Sequence, residues 1–304
     1  MIAPDATVGE AFLALARAGF AHLCANETGV LHDGNPEAIH QMRVAVRRLR
    51  ALFAAFQPAL DPDEARFLRG ELGWLQRQLG PARDWDVFVK DTLDRLSRDL
   101  PKETSLGDLR NAVAVARDKT YVLARGTLRD RRYTRFLLRF QLWLDSARWS
   151  DRSASLGDAI LPFAARILHK RDAKLDKLAS RFEQLREAEL HEVRLRAKKL
   201  RYAAEFFRPL YPMKPARKFI RSLIAIQDTL GSLHDAMVGR DLMTMLETNG
   251  VAADRRAKPR KSRAIKRASA VVAGFQAARI ADDTRRFREV WPRFAGLKKF
   301  WRAG

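Results

Sequence analysis

The sequence predicts an all-α fold built from duplicated antiparallel helical bundles, and three observations carry that expectation. Apolar residues recur at three- and four-residue spacing along nearly the whole chain, the period of a helix with one buried face. No segment shows the strict apolar–polar alternation of a half-buried strand. The third observation is an internal repeat. His40-Gln41-Met42-Arg43 with Arg47-Arg48-Leu49-Arg50 is matched by His191-Glu192-Val193-Arg194 with Lys198-Lys199-Leu200-Arg201, an offset of 191 − 40 = 151 residues. Gln76…Leu79-Gly80…Asp84 and Gln227…Leu230-Gly231…Asp235 give 227 − 76 = 151 again, and Arg135-Phe136 and Arg286-Phe287 share that offset. A constant offset points to a duplication, with residues 1–150 and 151–304 as the two repeats. Such halves are expected to pack about a pseudo-twofold axis with equivalent helices face to face.

Taken in order, the punctuation is that of helices. Met1 to Thr7, with Pro4 and Asp5, lacks a basic stretch followed by an apolar one, so no secretory signal is expected. Asn35-Pro36-Glu37 places a capping residue, a first-turn proline and a first-turn acid ahead of a periodic run, which predicts a helix over 36–56. Gly80-Pro81 reads as a helix stop with Asp84 as cap of the next helix. A helix over 187–207 repeats the first, and Pro209, Pro212 and Pro215 part it from its successor. Gly231 reads as another stop, with Asp235 as a cap. Gly250 through Arg263, carrying Arg255, Arg256, Lys258, Arg260, Lys261 and Arg263, reads as an exposed loop.

The 304 residues carry a formal net charge of +22 with 47% hydrophobic content. That is enough apolar material for a core, and so large a positive excess favours association with polyanions or an anionic surface. One cysteine, Cys24, excludes intramolecular disulfides and any multi-cysteine zinc site. With no apolar run of about 18 residues, no membrane span is expected, and the chain reads as cytoplasmic.

The basic residues of the repeat share one helix face. With His40 as zero and about 100° per residue, Arg43, Arg47 and Arg50 fall within an arc of roughly 80°. His191, Arg194, Lys198 and Arg201 make the same arc. Leu49, Leu52, Phe53 and Phe56 lie opposite, as do Leu200 and Phe207; Met42 and Val193 read as core. Positions 40 to 50 span roughly 15 Å, a line of charge that suits a linear anion with repeating phosphates. Arginine adds bidentate geometry toward phosphate oxygens. For the two histidines, structural imidazole and direct ligand remain open alternatives.

At these residues the chain resembles the CHAD family, the conserved histidine α-helical domain. The matching elements are Ile39-His40…Arg43-Val44…Arg47-Arg48-Leu49-Arg50, its echo Leu190-His191…Arg194…Lys198-Lys199-Leu200-Arg201, Leu79-Gly80…Arg83-Asp84…Asp86-Val87, Leu230-Gly231…His234-Asp235, and Phe300-Trp301. The resemblance implies two bundles around a basic central channel that binds inorganic polyphosphate, with association to polyphosphate granules and their proteins. It makes His40, Arg43, Arg47, Arg50, His191, Arg194, Lys198 and Arg201 the ligand-facing set. His234 stands where the first half has Arg83. Many relatives carry a triphosphate hydrolase domain whose first strand reads Glu-x-Glu-x-Lys. Glu187-Ala188-Glu189 is the only nearby match and continues onto a helix, so that domain is expected to be absent.

The expected function is therefore non-catalytic polyphosphate binding, with no cofactor and no metal. Nucleic acid is the alternative partner that charge alone supports, but no zinc finger, RNA-recognition signature or distinct helix-turn-helix is visible. A phosphoanhydride hydrolase using His40 or His191 would need a positioned carboxylate and usually a metal. Asp84, Asp86 and Asp235 are the only acids near a repeated motif, and no P-loop is present.

Overall fold

The computed structural model describes residues 2–146, 154–253 and 259–302, and these are almost wholly helical, with no strand among them. The α-helices are α1 (Val8–Cys24), α2 (Glu27–Leu31), α3 (Pro36–Phe56), α4 (Pro62–Phe88), α5 (Asp94–Asp99), α6 (Ser105–Arg129), α7 (Arg131–Asp145), α8 (Ile160–Ala179), α9 (Glu187–Phe207), α10 (Met213–Thr229), α11 (Gly231–Ala253) and α12 (Pro259–Ala295). A short π-helical segment, Val89–Leu93, joins α4 to α5. The helices over 36–56 and 187–207 stand where the punctuation places them.

The start of α3 follows from local chemistry. Gly34 adopts a φ of +56°, a left-handed turn that favours glycine. The Asn35 side chain accepts a hydrogen bond from the Glu37 backbone N–H at 2.9 Å, and Pro36 occupies the first turn, where its missing donor would be unused anyway. α9 starts differently: the Glu189 carboxylate accepts from the Arg186 backbone N–H at 2.9 Å.

Three expectations are corrected. Gly80-Pro81 does not stop a helix, because α4 runs through both residues to Phe88. Gly80 instead makes room for a guanidinium: a Cβ there would lie 3.2 Å from Arg43 Nη1. Asp84 and Asp235 consequently cap nothing; the first lies in the last turns of α4 and the second in the second turn of α11. Part of the loop expected over 250–263 is helix instead, since α11 reaches Ala253 and α12 begins at Pro259. Arg255, Arg256 and Lys258 lie outside the described residues, whereas the break expected at Gly231 is present, between α10 and α11.

α3 is the hub, packed against α1, α4 and α9. Its apolar face supplies Met42, Leu49, Leu52, Phe53 and Phe56, all buried, and α9 buries Val193, Leu200 and Phe207. The two helices meet near their ends, where the Phe56 and Phe207 rings lie 5.7 Å apart. Edge-to-face and tilted contacts of Phe12 with Phe53, Phe56 and Trp143 fasten α1 and α7 to that centre, each adding packing energy beyond area alone. A second apolar cluster joins Trp85 and Phe88 of α4, Leu109 and Val113 of α6, Leu242 and Met243 of α11, and Val272 of α12. Both clusters draw residues from either side of position 150. Phe300 and Trp301 fold back onto Phe219 at 5.5 and 5.0 Å. Val8–Leu31 alone among the described residues is long and apolar enough to cross a membrane. Yet the stretch turns at Ala25-Asn26 between α1 and α2, and α1 buries Val8, Phe12, Ala16 and Leu23.

Candidate anion-binding site

The outer faces of α3 and α9, together with α4 and α11, line a half-open cavity of about 910 Å³. His40, Arg43, Arg47, Arg50, His191, Arg194 and Lys198 line it. Arg201 does not.

The difference at Arg201 has a local cause. Its guanidinium donates to Gln227 Oε1 at 3.0 Å and to Glu205 Oε1 at 2.8 Å, and stacks on the Tyr202 ring. Arg50, 151 residues earlier, donates likewise to Gln76 Oε1 at 2.5 Å. The position equivalent to Glu205 (205 − 151 = 54) is Ala54, so Arg50 lacks the carboxylate that neutralises its counterpart. A glutamate one turn along the helix is thus what divides the two rows.

The other positions are held from several helices. Arg43 donates to the Gln76 backbone oxygen at 3.1 Å and lies 3.8 Å from Asp84. Arg47 donates through Nε to the Tyr202 hydroxyl at 2.5 Å across the α3–α9 contact. His191 faces His234 with ring centroids 5.6 Å apart. His191 Nδ1 and Arg194 Nε are buried and have no hydrogen-bond partner among the described residues. Such groups ordinarily find partners when buried.

Charge makes the deficit larger. The lining counts Arg43, Arg47, Arg50, Arg66, Arg69, Arg83, Arg194, Lys198 and Lys199, nine arginine and lysine side chains, against two carboxylates, Asp84 and Asp235. The crowding shows in the lysine, the histidines and the carboxylates that follow. Burial, then the charges of Arg194, Arg47 and Arg201, push the Lys198 ammonium down to about 7. Burial, then Arg194 and Lys198, push His234 down to about 4. His40 and His191 are lowered by burial and then by neighbouring cations, chiefly Arg83 for the first and Arg194 for the second. Asp84 and Asp235 are raised, because burial outweighs the arginines beside them. A multivalent anion would restore hydration-like contacts to the desolvated cations, give the orphan donors acceptors, and offset their mutual repulsion.

Sequence inspection missed Arg66 and Arg69 of α4 and treated Asp84 and Asp235 as caps. A signal was present: Arg69, Gln76 and Arg83 are spaced by seven, with Arg66 three residues before, one stripe of a continuous helix. Taking Gly80-Pro81 as a stop cut that stripe in two. Asp86 is absent from the cavity lining; it is buried against Arg117 Nε at 2.7 Å and the Tyr121 hydroxyl at 2.8 Å. Among the described residues no group of three His, Cys, Asp or Glu side chains is arranged to hold a metal ion.

Comparison with known proteins agrees with this architecture. The family model described as the CHAD domain matches residues 14–244. The crystal structure of the CHAD domain from the plant Ricinus communis superposes with a TM-score of 0.79 at 30% identity, covering 98% of this chain and 94% of that one. PptA from Streptomyces chartreusis shares the fold, with a TM-score of 0.70 at 17% identity over 94% of this chain and 100% of that one. Two uncharacterized proteins of Mycobacterium tuberculosis are 29% identical over 214 residues, 67% of this chain. The match spans 39% of the length of those curated relatives. The chain belongs to the CHAD domain family.

Proposed function

We propose that this CHAD protein binds inorganic polyphosphate, without catalysis, in the cavity between α3, α4, α9 and α11. The observation that carries the reading is the excess of cations in the lining: nine arginine and lysine side chains stand with two carboxylates, Arg66 also pairs with Asp63, and His191 Nδ1 and Arg194 Nε lack partners among the described residues. A repeating anion meets such a set one phosphate per cation, and the arginines add bidentate contacts. Counterion release makes binding fall with salt.

Placement argues against duplex nucleic acid: the cations line a cavity between four helices rather than one continuous outer face. Single strands are usually held by stacking on aromatic faces, but the lining residue Tyr202 has its ring covered by Arg201 and its hydroxyl taken by Arg47. For hydrolysis, a histidine needs an orienting carboxylate, and none is hydrogen-bonded to His40 or His191 among the described residues.

Duplication accounts for the 151-residue offset of the two rows, and the matched pairs Arg50–Gln76 and Arg201–Gln227 support it. A cytoplasmic location at polyphosphate granules, beside granule proteins, follows from the same reading; unchanged localisation in cells lacking polyphosphate would contradict it. The binding claim itself is tested with the double variant R47E/K198E. Loss of polyphosphate binding at unchanged helicity is the expected result, and unchanged affinity would overturn the proposal.

A further inference from the structure

A second basic surface lies apart from the cavity, on α7. The inner face of that helix buries Tyr133, Phe136, Phe140 and Trp143. Its outer face carries Arg131, Arg135, Leu138 and Leu142, spaced by four, three and four residues, one line about 16 Å long. Leu138 is 67% and Leu142 69% exposed. With Arg129 and Thr134 these residues line a shallow open hollow of about 650 Å³.

The charges along this line are unspent. Neighbouring Arg132 and Arg139 are neutralised by Glu71 at 2.8 Å and Glu64 at 2.7 Å. Arg129, Arg131 and Arg135 are exposed and have no carboxylate partner among the described residues. The stripe is therefore cationic at one end and apolar at the other. Single exposed leucines are ordinary, but two on one line, one turn apart and rimmed by unpaired guanidiniums, form an amphiphilic surface.

We propose that this face docks the protein on an anionic phospholipid bilayer. Arg129, Arg131 and Arg135 meet headgroup phosphates, and Leu138 and Leu142 enter the acyl boundary. Charge selects the occupant. A second copy of a chain with net charge +22 would bring arginine against arginine and be repelled. A stable protein partner needs about 800 Å² of well-packed surface on each side, far more than two leucines supply. A bilayer needs no complementary shape; adsorption grows with buried apolar area and with each basic residue near anionic headgroups.

The test is co-sedimentation of the full chain with vesicles of equimolar phosphatidylglycerol and phosphatidylcholine, against pure phosphatidylcholine, at physiological salt. Binding to the anionic vesicles only is expected. L138S/L142S should weaken it about tenfold, R131Q/R135Q at least about fivefold, and the distant exposed pair R217Q/R221Q less than about twofold. Three results would overturn the proposal. The first is binding of L138S/L142S equal to the parent, which means that no leucine enters the bilayer; the second is equal weakening by R217Q/R221Q, which means that charge acts diffusely. The third is absence of vesicle binding, which leaves the face to an acidic protein.

Discussion

Polyphosphate binding should draw a proton onto Lys198, and the pH dependence of affinity should reveal it. Burial and three cationic neighbours hold this ammonium at about 7 against an ordinary 10.5. At pH 8 the side chain is then roughly one-tenth protonated, since each pH unit is a factor of ten. Phosphates entering beside it return it toward its ordinary range, so binding takes up about 0.9 proton at pH 8. Affinity falls close to tenfold per unit above pH 7, about 1.4 kcal/mol per unit. The stability of the fold moves the other way. Between pH 7 and 10.5 the unfolded chain holds a proton that folded Lys198 lacks, so raising the pH through that window stabilises the fold. Calorimetric titration in two buffers of different ionisation enthalpy measures the proton number directly. K198M should remove both the uptake and the steep pH slope. No proton uptake at pH 8, or equal uptake in K198M, would refute the reasoning.

Other consequences can be checked separately. Removing the carboxylate 3.8 Å from Arg43 with D84N should strengthen polyphosphate binding about tenfold, the effect of one screened charge several ångströms away; titration calorimetry reads it, and weaker binding contradicts it. Y202F removes the acceptor that fixes Arg47 across α3 and α9 and should weaken binding severalfold with thermal stability lowered by about 1 kcal/mol. The logarithm of the binding constant against the logarithm of salt should fall with a slope of about −4 to −6, as six to eight neutralised phosphates require. Gly34→Ala forces a Cβ into a left-handed turn at the entry to α3 and should cost about 1–2 kcal/mol in chemical denaturation, whereas Gly34→Asn should cost less.

How much of this was legible from residues alone depended on the range of the interaction involved. The bounds of α3 and α9 were legible, because Asn35 and Pro36 at the start of α3 and Pro209 just beyond α9 act within one turn. Their inward and outward faces were legible because helical periodicity alone sorts Phe53 from Arg47. The continuity of α4 was not. Gly80-Pro81 has the composition of a stop, but the glycine answers to a guanidinium from another helix, a tertiary demand that local rules do not contain. The same long-range cause hid Arg66 and Arg69 and turned Asp84 and Asp235 from caps into cavity carboxylates. Arg201 stands outside the cavity lining: equivalence at offset 151 predicts its direction, while Glu205, present in the sequence one turn on, decides its partner. Depressed bases such as Lys198 and His234 belong to burial among four helices, which no linear pattern encodes.

The central claim, that the cavity lining exists for polyphosphate, is tested most directly by calorimetric titration of the intact protein with long-chain polyphosphate at two salt concentrations, with DNA as competitor at equal phosphate. Tight, salt-sensitive binding that DNA does not displace is the predicted result. Weak binding, or ready displacement by DNA, would contradict it and assign the positive charge to an outer surface.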